Sequence, residues 1–256
     1  MPPASPTLRE WLKEAPFGLT MSSGFFAFFA HTGLLIVLED AGLLPSRVSG
    51  SSAGALVTAS WAMGLDGPAL ATELEALERR HFWDPAPGLG LLRGRLFREK
   101  LTEMFGAKCM DQGRVPAAVS VHEPMPARTH VLTSGDAAAA VHASCAVPVL
   151  FHPVRIGARL YVDGGVSDRP GLRGMPSGER VLFHHIASRS PWRRFDLEGM
   201  RVPPREDMIT LVIDDLPRSG PFKLDLGRRA LREARRAARM ALDRPIGSGK
   251  VHVSAW

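Results

Sequence analysis

Only two cysteines occur in the 256 residues, Cys109 and Cys145, so the chain has no disulfide framework. They read as reduced, buried thiols in a reducing compartment. Long hydrophobic runs are also missing. The longest apolar stretch, Gly24 to Leu38, is broken by His31 and Gly33 and falls short of the ~20 residues a membrane span needs. Arg9, Glu10 and Lys13 stand near the N-terminus, with no charged segment leading into an apolar one, so no secretory signal is expected. A cytoplasmic protein is expected, with a peripheral place at a membrane left open. No His or Cys spacing matches a metal-ligand pattern, and no metal or cofactor is expected. No Walker or Rossmann glycine pattern stands between the flanks it requires, and no internal repeat is evident.

What is present is ordinary for a globular domain: 45% hydrophobic and 23% charged residues. The length suits one large α/β domain. Residues 1–16 read as an N-terminal leader with a short amphipathic piece around Leu8, Trp11 and Leu12. Residues 17–256 read as the domain. The net charge is +6, and arginine far outnumbers lysine. That balance favours anionic partners, whether nucleic acid, acidic head groups or acidic substrates.

Strand-like and helix-like segments alternate along the chain. Phe17 to Ser22 predicts a strand, and Phe25 to Gly42 a helix buried on several sides. Arg47 to Ser49 predicts a strand, and Ala55 to Met63 a buried helix. Pro68 to Arg80 carries Leu70, Leu74 and Leu77 at helical spacing, and His81 to Arg95 is a Pro- and Gly-rich loop. Leu96 to Phe105 and Asp136 to Ser144 predict helices, Ala117 to Val121 and Thr129 to Ser134 strands, and Val154 to Val162 a hairpin centred on Gly157. Arg180 to Ile186 and Met208 to Ile213 add strands, and Asp225 to Asp243 a long helix. The alternation predicts a three-layer α/β/α fold with a largely parallel sheet and helices on both faces.

Three local patterns carry chemistry. Gly50-Ser51-Ser52-Ala53-Gly54 is a G-x-S-x-G sequence between a strand and a helix. A nucleophilic serine must stand clear of its backbone on a tight turn, and glycines two residues to either side make the room. The helix that follows favours developing negative charge, so the Ala53 N–H is a candidate oxyanion donor. Upstream, Ser22-Ser23-Gly24 ends a strand just before a helix and offers further N–H donors. Downstream, Asp163-Gly164-Gly165 puts a carboxylate at a strand end beside two glycines. Taken singly, the last two are equally readable as ordinary turns.

Taken together, in this order and spacing, they resemble the patatin-like phospholipase family. The resemblance extends to His31-Thr32-Gly33-Leu34-Leu35 with Leu38-Glu39. It includes Ala143-Ser144-Cys145-Ala146-Val147-Pro148 and Phe151-His152-Pro153-Val154, and so covers roughly Phe17 to Pro170. It implies a patatin-type fold. It also implies a lipid acyl hydrolase that cleaves carboxylic esters through an acyl-enzyme, with Ser52 as nucleophile and Asp163 as general base. Oxyanion donors would be the backbone N–H groups of Gly24, Phe25 and Ala53. The family's oxyanion turn usually reads G-G-G-x-[KR]-G; here Ser23-Gly24-Phe25-Phe26-Ala27-Phe28 stands in its place. A positive φ at Phe25 would be strained. The phenylalanines either line an acyl-chain pocket or belong to the core.

Two rival readings stay open. The order Ser52, Asp163, His185 also fits a Ser–His–Asp α/β-hydrolase, although residue 52 leaves room for only about two strands before the nucleophile. A lipid- or membrane-binding protein without catalysis is the other. The C-terminal helix has a seam of Leu226, Ala230, Ala234, Ala238 and Ala241, with Arg228, Arg229, Arg232, Arg235, Arg236 and Arg239 largely off it. Such a helix packs by its seam, rests on anionic membrane, or does both, with its outer face in peripheral contact with the membrane. Nucleic acid is not expected as a partner, because the basic stretch lacks interleaved aromatics.

Overall fold

A computed structural model describes residues 5–186, 201–247 and 249–255; residues 1–4 of the expected leader lie outside these. In chain order the elements are α1 (Leu8–Glu14), β1 (Gly18–Met21), α2 (Phe28–Asp40), β2 (Arg47–Ser51), α3 (Ala53–Ala62) and α4 (Gly67–Glu75). There follow β3 (Gly90–Leu92), α5 (Arg95–Phe105), β4 (Ala117–Pro124), β5 (Ala127–Leu132), α6 (Ala137–Ser144) and β6 (Val149–Phe151). The last are β7 (Val154–Ile156), β8 (Arg159–Asp163), β9 (Val181–His185), β10 (Met208–Asp214), α7 (Leu224–Leu242) and β11 (Lys250–Ser254).

Nine strands make one sheet in the order β11-β10-β9-β1-β2-β4-β8-β7, with β5 also on β4. From β11 to β4 every pairing is parallel. The pairings of β4 with β5 and β8, and of β7 with β8, are antiparallel. The fold is thus α/β with a mostly parallel central sheet. Its inner strands are short apolar runs because parallel strands are covered on both faces; all four residues of β1 are buried.

The side chains of β9 show how the faces differ. Leu182 joins the large core built with the helices, whereas Val181 and Phe183 pack with Leu172 and Met175 in a small separate cluster. Among the described residues, the helices gather on the first face, and a 3₁₀ turn at Leu172–Gly174 covers the second. The leader segment also contributes to the main core. Thr7 and Glu10 form a capping box on α1, and Leu8, Trp11 and Leu12 are buried.

Some boundaries differ from the sequence expectation for physical reasons. α2 starts at Phe28, not Phe25, because residues 25–27 form a turn closed by Ala27 N–H donating to the Gly24 carbonyl. The positive φ expected to strain Phe25 falls on Phe26, at +55°. α4 ends at Glu75, residues 76–78 are irregular, and a 3₁₀ turn at Arg79–His81 covers the end of the predicted helix. β3 arises inside the predicted loop by pairing with β6, a contact between residues 90–92 and 149–151 that no local pattern announces. β11 is a further strand without a sequence expectation.

The Ala seam of α7 packs on α2. A Cβ at Gly33 would lie 2.6 Å from the Leu231 carbonyl oxygen, so Gly33 allows the two backbones to approach. Five of the six arginines named on α7 are held by the protein itself. Arg235 and Arg239 share Asp40, Arg229 pairs with Glu233, Arg228 donates to the Glu75 and Leu77 carbonyls, and Arg236 to that of Ala255.

Candidate active site

The sheet register builds the site. β5 occupies one edge of β4, so β2 and β8 must share the other. β2 ends with Ser51 opposite Ser120; the next residue of β4, Val121, faces Asp163 at the end of β8. Asp163 therefore stands directly beyond the end of β2, where the chain turns through Ser52 into α3.

Ser52 occupies the turn with φ +52° and ψ −119°, a conformation rare for a side-chain-bearing residue. Both flanking glycines are required by space. A Cβ at Gly54 would lie 1.9 Å from the Met21 carbonyl oxygen, and one at Gly50 would lie 2.5 Å from the Ala55 nitrogen. The Ser52 hydroxyl donates to Asp163 Oδ2 at 2.6 Å. At that distance no imidazole stands between them. Asp163 Oδ1 accepts from the Gly165 N–H at 2.7 Å. Gly164 and Gly165 let this loop approach its neighbours: a Cβ on Gly164 would meet the Ser120 carbonyl oxygen at 2.1 Å, and one on Gly165 would meet Ser23 Oγ at 2.6 Å.

Burial raises the Asp163 pKa to about 6, against the opposing hydrogen bonds from Ser52 and Gly165 and the charge of Arg169. A carboxylate poised there is ionised at neutral pH and is still a stronger base than an ordinary aspartate. Burial, helped by the Asp163 charge, pushes the neighbouring Cys145 thiol well up, so it stays protonated; its Sγ–H points at the Ser52 carbonyl at 3.3 Å.

Several supporting residues were not expected in the site, although Ser144 and His31 stand in segments that carry the family resemblance. Ser144 Oγ accepts the Ser52 N–H at 2.9 Å and donates to the Ser120 carbonyl at 2.7 Å, linking α6 and β4 to the elbow. Asp168 accepts from Ser120 Oγ at 2.6 Å and from the Arg173 N–H, tying down the loop after Gly165. The Ser22–Gly24 turn rests on two buried imidazoles. His31 Nε2 reaches the Ser22 carbonyl at 2.8 Å, and its Nδ1 lies 2.9 Å from His184 Nδ1. A carbonyl only accepts, so His31 is protonated on Nε2 and His184 donates from Nδ1. Burial pushes the His31 pKa down to about 4 and that of His184 well below the usual range, so both are neutral.

Gly24, Phe25, Ser52, Ala53 and Asp163 all line one cavity of about 1240 Å³. Phe26 and Phe28 line it too while also packing against the main core, so they take both of the places their sequence left open. Its remaining wall is largely apolar, including Leu56, Leu74, Phe82, Phe97 and Met104. His185 lies outside this lining. Among the described residues no group of three or more His, Cys, Asp or Glu could hold a metal ion.

The family model described as patatin-like phospholipase matches residues 19–174, more than half of the chain. The chain belongs to the patatin-like phospholipase family. The matched span includes both Ser52 and Asp163 and ends at the turn that covers the second face of the sheet. Among curated relatives, an uncharacterised NTE family protein of Mycobacterium tuberculosis is 31% identical over 153 residues, 58% of this chain and 26% of its own length. A second from that organism is 28% identical over 172 residues, 65% of this chain and 47% of its own. The chain thus spans half or less of the curated relatives it matches. In three dimensions it is similar to VipD from Legionella pneumophila, with a TM-score of 0.61, 15% identity, and coverage of 89% of this chain and 67% of the other.

Proposed function

We propose that this chain is a lipid acyl hydrolase in which Ser52 attacks a carboxylic ester and Asp163 takes the serine proton. One observation carries the reading: the 2.6 Å bond from Ser52 Oγ to a buried carboxylate, at the wall of a largely apolar cavity. As the bond from Ser52 Oγ to the carbonyl carbon forms, negative charge moves onto the carbonyl oxygen. The N–H groups of Gly24, Phe25 and Ala53 receive it. Ala53 opens α3, where N–H groups have no intrahelical acceptor. The proton held by Asp163 passes to the leaving alcohol, and the acyl group stays on Ser52. Water then attacks with Asp163 again as base, releasing the acid and restoring the serine. The cavity suits a long acyl chain, so a phospholipid or lysophospholipid is the proposed substrate class. The chemistry invokes no cofactor and no nucleic-acid partner. Among the described residues no helix is long and apolar enough to cross a membrane.

A fluorophosphonate probe with adduct mapping by mass spectrometry tests this reading. Labelling is expected at Ser52 alone, absent in Ser52→Ala, and slowed about 100-fold in Asp163→Asn. His185→Ala should label as the parent does. Undiminished labelling of Asp163→Asn overturns the dyad, and a folded parent that does not label overturns the hydrolase.

A further inference from the structure

The geometry points to a lipid-docking rim around the cavity mouth, formed by Leu89, Leu91 and Val149 on one side and Phe25 and Phe222 on the other. It rests on the proposed function only in its choice of substrate. The parallel pairing of β3 with β6 sets Gly90 opposite Val149 and Leu92 opposite Phe151. Leu92 and Phe151 are buried with Ala146, whereas Leu89 is 78% exposed, Leu91 50% and Val149 82%. Val149 has φ +71°, a strained conformation for a β-branched residue. An apolar side chain held outward at a backbone cost calls for something to cover it.

The two sides are physically continuous. Trp83 packs against the Leu92–Phe151 cluster, and the Phe222 ring meets the Trp83 ring at 5.2 Å. Phe25, itself 56% exposed, lies against Gly220, two residues before Phe222. Phe25 and Val149 also line the cavity that holds Ser52, so the rim borders the route a substrate takes.

Charge and the cavity identify the occupant. Arg79, Arg93, Arg218 and Lys223 are exposed on the same segments, and Arg79 stacks over the Trp83 and Phe222 rings. Most acids on these segments have partners: Glu78 pairs with Arg80, Asp84 accepts from the Gly94 and Leu96 N–H groups, and Asp214 and Asp215, which also line the cavity, meet His252 and Ser254. Apolar tips ringed by cations, opening onto an apolar cavity, match an anionic bilayer surface from which an acyl chain can pass inward without crossing water. The C-terminal helix, with most of its arginines already engaged, matches it less well.

The test is sedimentation of the Ser52→Ala protein with vesicles of phosphatidylcholine and phosphatidylglycerol, which reads docking with the nucleophile removed. The protein is expected to sediment with them. Leu89→Asp/Leu91→Asp in the same background should weaken binding at least about tenfold without lowering the unfolding midpoint. With Ser52 restored, that double variant should keep its rate on a soluble short-chain ester and lose it on vesicle-borne ester. Arg232→Glu on α7 should bind as the parent does. Failure of the parent to bind, equal binding by the double variant, or a larger loss in Arg232→Glu each overturns the rim. So does a parent that is dimeric in solution and becomes monomeric on Leu89→Asp/Leu91→Asp, since a second copy then covers the patch. Absence of Ser52 labelling with vesicle binding intact would sink the hydrolase and leave the rim standing.

Discussion

Two strand-to-helix turns meet at this site, and they hold unusual backbone in opposite ways. At the elbow, Ser52 sits at φ +52° between glycines whose missing Cβ atoms make room for neighbouring backbone. At the upstream turn, the positive φ falls on Phe26, and aromatic packing surrounds it. Its ring meets those of Phe25, Phe28 and Phe82 at centroid distances of 5.0, 5.2 and 5.8 Å. One turn is shaped by empty space, the other by filled space. A glycine pattern is visible in sequence because its physics is local. Ring packing that reaches to Phe82 is not, because one of the three ring contacts is made by a residue more than fifty positions away.

The largest effect should come from filling the empty space. In Gly54→Ala the new methyl would sit 1.9 Å from the Met21 carbonyl oxygen, and the only relief is movement of backbone in β1 and the upstream turn together. A stability loss of about 4 kcal/mol is expected by denaturant titration, with probe labelling at Ser52 abolished. Gly24→Ala meets side chains, Ala27 Cβ at 2.7 Å and Ile186, and these can shift, so a loss of about 1 kcal/mol is expected. Equal losses in the two variants would break the comparison.

The same contrast explains what could be read in advance. The alternation of elements, the elbow and the Asp163-Gly164-Gly165 turn are short-range patterns, and the residues they named lie together. Ser144 and His31 stand in segments that carry the family resemblance, but nothing local shows that the fold joins Ser144 to Ser120 or His31 to His184. Helix α2 starts later than its composition predicts for a related reason: its apolar density continues back through Phe25, but the Phe26 conformation delays the first helical residue to Phe28. The composition of α7 is readable as a packed seam with a basic outer face, but the partners that take up most of that charge, Asp40, Glu233 and nearby carbonyls, are set by the tertiary fold.

Asp163 lies where the two turns touch, since Gly165, which binds its Oδ1, packs against Ser23. Its pKa rises from 3.8 to about 6 on burial. A raised carboxyl pKa stabilises the fold fully below the unfolded value and loses that contribution as pH rises through the folded value. The ionised form above pH about 6 therefore costs the fold on the order of 3 kcal/mol. Asp163→Asn keeps the shape without the charge. Its stability relative to the parent should be near zero below pH about 4 and should grow to about 2–3 kcal/mol in its favour above pH about 7. Thermal unfolding of both proteins across that range checks the sign. A difference that does not change with pH would mean that the carboxylate is stabilised as well by the meeting of the turns as it is in water.

The smallest effect tests what holds the upstream turn. Phe26→Gly relieves a positive φ, which is worth about 1 kcal/mol, and removes a half-buried ring from the cluster with Phe25, Phe28 and Phe82, which costs more. A net loss of about 1 kcal/mol is expected by denaturant titration. The backbone N–H of Phe25 does not depend on the Phe26 side chain, so labelling at Ser52 should fall only as far as the turn loosens. A stabilised Phe26→Gly protein would show that strain outweighs packing there, and that this turn, like the elbow, is better served by space than by aromatic contact.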